Sequence, residues 1–74
     1  MAGHAIREGT SVSWPWGSGQ GRGVVREIHR DSLTRTLQGS EVTRHGSDDD
    51  PAYLIETDDG SQVLKLRSEV DRAD

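Results

Sequence analysis

Residues 51–66, Pro-Ala-Tyr-Leu-Ile-Glu-Thr-Asp-Asp-Gly-Ser-Gln-Val-Leu-Lys-Leu, constrain the fold more than any other stretch of the chain. Two apolar runs, Ala52 to Ile55 and Val63 to Leu66, flank Asp58-Asp59-Gly60-Ser61. Asp-Gly between apolar runs is the strongest short-range hairpin signal a sequence offers. Gly60 accepts a positive φ because it has no Cβ to clash, and Asp59 tolerates one. Tyr, Ile, Leu and Val suit a pleated, half-buried surface. A helix here would carry Asp-Asp-Gly in its middle, which disfavours it. The stretch therefore predicts a central hairpin, Tyr53 to Thr57 paired with Gln62 to Leu66. Leu54 and Ile55 point to opposite faces of their strand, so both are core candidates and the register stays open.

The other segments read as further strands. Gly9 to Trp16 is the first, with Val12, Trp14 and Trp16 on one face. Pro15 has no N–H to give a ladder, which places it at a strand end or a sheet edge. Gly17-Ser18-Gly19-Gln20-Gly21-Arg22-Gly23 then suggests a phosphate loop, but no Gly-Lys-Ser/Thr ending follows. Val24-Val25-Arg26 is strand-like, so no helix N-terminus stands ready for a phosphate. The glycines are read instead as a flexible, tightly turning connection. In the second strand, Val24 to His29, strict alternation cannot turn Val24, Val25 and Ile28 inward together. A bulge or an outward valine is required. Thr34 to Arg44 reads as a hairpin arm and its return, broken at Gln38-Gly39-Ser40. Leu33, Arg35 and Leu37 share one face of the arm. Residues 45–51 form a loop. Its three aspartates lack the alternate-position spacing of a calcium loop, so no metal site is expected. Arg67 to Val70 is a short turn with a closing apolar residue.

About five short strands with turns between them suit an all-β fold, a small closed barrel. The expected core is Val12, Trp14, Val25, Ile28, Leu37, Val42, Leu54, Ile55, Leu64, Leu66 and Val70. The expected layout is a flexible tail over residues 1–8, which holds His4, a barrel over 9–70 and a polar tail over 71–74. A chain of 74 residues is one domain at most. It contains no cysteine, so neither a disulfide framework nor a thiolate metal site is available. No apolar run is long enough for a membrane span or a signal-peptide core, and the cytoplasm is the expected location. A monomer or weak homodimer is expected.

Several blocks together resemble one known family. They are Gly9-Thr10-Ser11-Val12-Ser13-Trp14, the glycine loop, Thr34-Arg35, Gly39-Ser40-Glu41-Val42-Thr43-Arg44-His45-Gly46, Asp49-Asp50-Pro51-Ala52-Tyr53-Leu54-Ile55-Glu56, Asp59-Gly60, Val63-Leu64-Lys65 and Ser68-Glu69-Val70. They are similar to the hypervirulence-associated Tudor-domain family over nearly everything from Gly9 to Val70. The Asp-Pro-Ala-Tyr and Glu-Val-Thr-Arg blocks are the most specific. The resemblance implies an SH3-like, Tudor-type barrel and brings no catalytic residues with it.

The residues themselves argue against catalysis. There is no nucleophile elbow, and the three histidines are scattered over tail, strand and loop. No cofactor is expected. The first functional expectation is a non-catalytic interaction module for a protein or peptide. Trp16 and Tyr53 would border its binding surface. Two indoles side by side overfill so small a barrel, so Trp14 takes the core place, and Trp16 at the strand end is either exposed to a partner or folded back as a lid over one barrel mouth. Tudor-type barrels often hold methylated cations in an aromatic cage; here Asp49 or Asp50 would assist a partial one. The alternative is nucleic-acid binding through Arg22, Arg26, Arg30 and Arg35. Residues 1–37 carry five arginines against three acids, while residues 38–74 carry four basic side chains against ten acidic ones. The net charge of −4 opposes that alternative, since phosphates need neutralising cations.

Overall fold

Ala52, Tyr53, Leu54 and Ile55 are all buried, one after another. Strand alternation sends two of them to each side, so the strand they form must be covered on both faces. A computed structural model, which describes residues 6–73, shows how the cover is built. The strands are β1 Ser11–Trp16, β2 Gly19–His29, β3 Ser32–Leu37, β4 Ser40–His45, β5 Ala52–Thr57, β6 Gln62–Leu66 and β7 Asp71–Arg72. A 3₁₀ turn, Arg67–Glu69, joins β6 to β7. Five strands form one sheet in the order β6-β5-β2-β1-β7, and β3 and β4 form a separate hairpin. The fold is a small SH3-like barrel.

Each face of β5 has its own apolar cluster. Tyr53 and Ile55 pack with Ile6, Val12, Trp14, Val25 and Val70. Ala52 and Leu54 pack on the other side with Leu33, Leu37 and Leu64, flanked by Val42 and Leu66. The β3–β4 hairpin is thus the second cover, which is why Leu54 and Ile55 both belong to the core. Ile28, Val42 and Leu66 are only half-buried, while Leu33 and Ala52 join the fully buried set. The sheet also curls over its first face. The Lys65 ammonium on β6 lies 6.0 Å from the ring centroid of Trp14 on β1, although β5 and β2 stand between those strands. The curl has a visible source in β2. Val25 pairs with Ile55 and Glu27 with Leu54, so Arg26 is an extra residue, the bulge that the valine spacing demands.

The glycine segment is not a flexible loop. The turn is only Gly17-Ser18, with Gly17 at φ +57°, and Gly19 already pairs with Trp16. The remaining glycines lie in β2, where Gly21 faces Trp14 and Gly23 faces Val12. Large side chains on β1 therefore meet a strip of β2 without side chains. A Cβ on Gly21 would lie 2.5 Å from the Trp14 indole, and one on Gly23 would lie 2.6 Å from the Glu56 carbonyl oxygen. Nothing lies within 4 Å of the corresponding position at Gly19.

The central hairpin has the expected strands but a different turn. Gly60 alone takes a positive φ, +88°, and Asp59 does not. The Asp59 carboxylate instead accepts the Ser61 amide at 3.0 Å and the Thr57 hydroxyl, tying down a three-residue loop. Thr57 N–H donates to the Ser61 carbonyl at 2.8 Å and closes it. Pro15 is at a sheet edge as expected. Ala73 N–H donates to the Ser11 carbonyl at 2.9 Å and Ser13 pairs with Asp71, so residues 11, 13 and 15 present their backbone to the β7 side. Strand β7 ends before it reaches Pro15, where a missing N–H costs nothing.

The strands number seven: the arm and its return are β3 and β4, and Asp71–Arg72, expected in a polar tail, adds a further strand by pairing with β1. That pairing uses backbone groups alone, which side-chain polarity does not reveal. At the other end, Ile6 of the supposed tail is buried in the first cluster. Gly9 N–H donates to the Val25 carbonyl at 2.7 Å, which holds this segment against β2. His4 and the rest of residues 1–5 lie outside the described residues.

The glycine strip makes a graded prediction. By urea unfolding, Gly21→Ala and Gly23→Ala each lose about 1–3 kcal/mol through overpacking, and Gly23→Ala loses more because it meets backbone. Gly19→Ala stays within about 0.5 kcal/mol of the parent. Equal losses at all three positions would contradict the strip.

Candidate functional site

The short β1–β2 turn leaves Trp16 at the end of β1, opposite a glycine that cannot cover it. Trp16 is 70% exposed. Beside it runs a groove of about 450 Å³ lined by Trp14, Trp16, Gly21, Val63 and Lys65, with a polar rim. The rim holds Arg22, Gln38, Asp58 and Asp59. Three turns meet here: Gly17-Ser18, Gln38-Gly39 and Asp58-Asp59-Gly60. Trp14 is otherwise buried and presents only part of its indole to the groove. The Lys65 ammonium stands over that ring, 6.0 Å from its centroid, at the outer reach of a cation–π contact. Hydrogen bonds from the Thr57 hydroxyl and the Ser61 amide hold the Asp59 carboxyl below the usual aspartate range. Asp59 therefore stays ionised at the groove rim while serving the turn.

The structure does not bring the four expected binding residues together. Tyr53 is only 2% exposed and packs in the first core cluster, so it borders no surface. Burial raises its phenol, against the opposing pull of Arg67 and Arg30. Tyr53 pairs with Ile28 near the far end of the eleven-residue β2, whereas Trp16 pairs with Gly19 at the near end. Asp49 and Asp50 belong to that far end too, in the loop before Ala52. Asp50 has a structural task there. Its carboxylate accepts the Ser68 amide at 2.7 Å and the Ser68 hydroxyl at 2.9 Å, fastening the loop to the 3₁₀ turn. Asp49 is exposed. The acids beside Trp16 are Asp58 and Asp59, from the hairpin whose turn signal is strongest. Among the described residues, no three His, Asp or Glu side chains form a group that could hold a metal ion.

The four arginines are also dispersed. Arg26 Nε lies 2.8 Å from Glu56 Oε1, and Arg35 Nη2 lies 2.5 Å from Glu27 Oε1. Glu27 also accepts from His29 Nε2 at 2.8 Å. The His29 contact, followed by Arg35, lowers the Glu27 carboxyl despite some desolvation. Arg22 donates to the Ala73 carbonyl at 3.4 Å and reaches the groove rim, while Arg30 is exposed just past β2. Two of the four are therefore matched by carboxylates.

A signal for the groove was present in the sequence. The spacing Val12-x-Trp14-x-Trp16 mirrors Gly19-x-Gly21-x-Gly23 about residues 17 and 18, so a tight hairpin lays each large side chain opposite a glycine. Nothing local announces Lys65 or Asp58, which arrive only through the curl of the sheet.

The family model described as Hypervirulence associated proteins TUDOR domain matches residues 9–70. The chain belongs to that family. Neither the curated proteins nor the solved structures give a significant match. Tudor-type domains are generally non-catalytic modules that bind proteins or nucleic acids. Among the described residues of this Tudor domain, no helix is long and apolar enough to cross a membrane.

Two measurements check these assignments. Asp50→Ala costs about 1 kcal/mol of stability and speeds hydrogen exchange at the Ser68 amide, as for a lost hydrogen-bonding partner. An unchanged Ser68 amide would remove Asp50 from its structural role. For Asp59 the folded pKa is depressed, so its contribution is complete above the unfolded pKa and fades as pH falls through the folded one. The Ser61 amide resonance therefore titrates with a midpoint below that of an ordinary aspartate. A midpoint at or above the ordinary value would dismiss the capping role.

Proposed function

We propose that this Tudor domain is a non-catalytic interaction module that binds a protein or peptide partner through the groove beside Trp16. One observation carries this reading. Among the described residues, Trp16 is the exposed large apolar side chain, and it stands at the mouth of a groove that contains a second indole. Exposing an indole sacrifices apolar burial, and tryptophan is enriched at binding hot spots. The groove is open and lies among turns, a form that suits an extended segment laid across it.

The arginine distribution supports a protein partner over a nucleic acid. Arg26 and Arg35 spend their charge on Glu56 and Glu27, and the chain carries a net −4. Duplex or single-stranded binding would require several free cations along one track.

Trp16→Ala provides the test. It leaves urea stability within about 1 kcal/mol of the parent, because little apolar area is lost. On an array of peptides of roughly a dozen residues, the parent retains a subset and Trp16→Ala loses it. Binding that survives Trp16→Ala would reject the groove. Binding to DNA or RNA oligonucleotides that weakens steeply with salt would favour a phosphate-binding surface instead.

A further inference from the structure

We propose that Lys65 is a built-in cation over the Trp14 face of the groove, so that the groove takes neutral, apolar side chains and turns cationic ones away. This rests on the groove being the binding site. The observation is the 6.0 Å separation between the Lys65 ammonium and the Trp14 ring centroid, inside a groove that both residues line. The negative face of an indole is the feature that attracts a ligand cation. On Trp14 that feature is already satisfied from within the chain. An incoming ammonium would have to displace Lys65 or sit against its charge.

The position of Lys65 is fixed by the fold. It pairs with Tyr53 across β5–β6, and Val63, two residues earlier on the same strand face, also lines the groove. The charged groups around the groove are Arg22 and Lys65 against Asp58 and Asp59, so they balance. Asp59 is further occupied by the Thr57 hydroxyl and the Ser61 amide. No net negative charge is left to draw a cation in. The surface that remains is apolar: the Trp16 indole, the open part of Trp14 and Val63. A neutral aliphatic or aromatic side chain of a peptide is the ligand this surface fits.

Choline and its uncharged carbon isostere, dimethylbutanol, separate charge from shape. Both are titrated at millimolar concentrations into the parent and into Lys65→Met, which keeps the length of the side chain without its charge. The indole N–H resonances of Trp14 and Trp16 give the readout. In the parent, the alcohol shifts these resonances and choline does not. In Lys65→Met, the choline-to-alcohol affinity ratio rises about tenfold. The ratio comes from one folded sample, so a small loss of stability does not disturb it, and Lys65→Gln serves if Lys65→Met folds poorly. Choline acting on the parent as strongly as the alcohol overturns the assignment, and so does an unchanged ratio in the variant. In both of those outcomes the groove reading stands, because the groove still takes a ligand. If neither compound moves either protein, the groove reading falls together with the role of Lys65.

Discussion

Burial of four consecutive residues, Ala52 to Ile55, is the constraint on which this structure depends. A strand that is apolar on both faces cannot rest on the surface of a single sheet. A chain with 30% hydrophobic residues has little material to supply two covers. It makes the first by curling its main sheet, helped by the bulge at Arg26, and the second by folding the β3–β4 hairpin back over Leu54. The same two moves assemble the groove. Curling brings Lys65 across to Trp14, and the hairpin brings Gln38 to the rim.

The parts of the fold that were legible in the sequence are those written in local chemistry. Asp59-Gly60 marked the central hairpin, three ill-spaced apolar residues marked the bulge, and Pro15 marked an edge. What was not legible depends on partners far along the chain. The glycines between Gly17 and Gly23 looked like slack because their opposing strand is needed to show why side chains are missing. Tyr53 looked available for a surface because a phenol is amphipathic, and only the packing around Ile55 shows that its ring is needed inside. Asp49 and Asp50 looked like the acids of the site because three aspartates in a row stand out. Their loop leads into the end of β5 that is remote from Trp16, and the acids that reach the groove come from the opposite end of that strand. Trp16, which the sequence leaves either exposed at its strand end or folded back as a lid, is exposed, since a strand end after a proline and before a tight turn leaves an indole little to lean on.

The electrostatics divide in the same way between local and distant partners. Asp59 answers to its own turn, within two residues on either side. Glu27 joins β2 to β3 by accepting from both His29 and Arg35, which fastens the second cover at its margin. Arg44 Nε, buried without a hydrogen-bond partner, comes within 3.4 Å of Glu69, which in turn accepts the Leu66 amide at 2.7 Å. These contacts are mostly half-exposed, and they orient elements more than they stabilise them.

The pairing of β7 with β1 closes a circuit through almost the whole chain, from Ser11 to Ala73. A contact of such high sequence separation carries a large closure entropy unless the intervening chain is already ordered. Val12 pairs with Arg72 and Ser13 with Asp71, and the Ala73 amide adds its bond to the Ser11 carbonyl at 2.9 Å. Were this short pairing to open, the outer edge of β1 would be bare at Ser11 and Ser13. The fold would then present a free strand edge close to Trp16, and the proline two residues further on would limit how far that edge can recruit another chain.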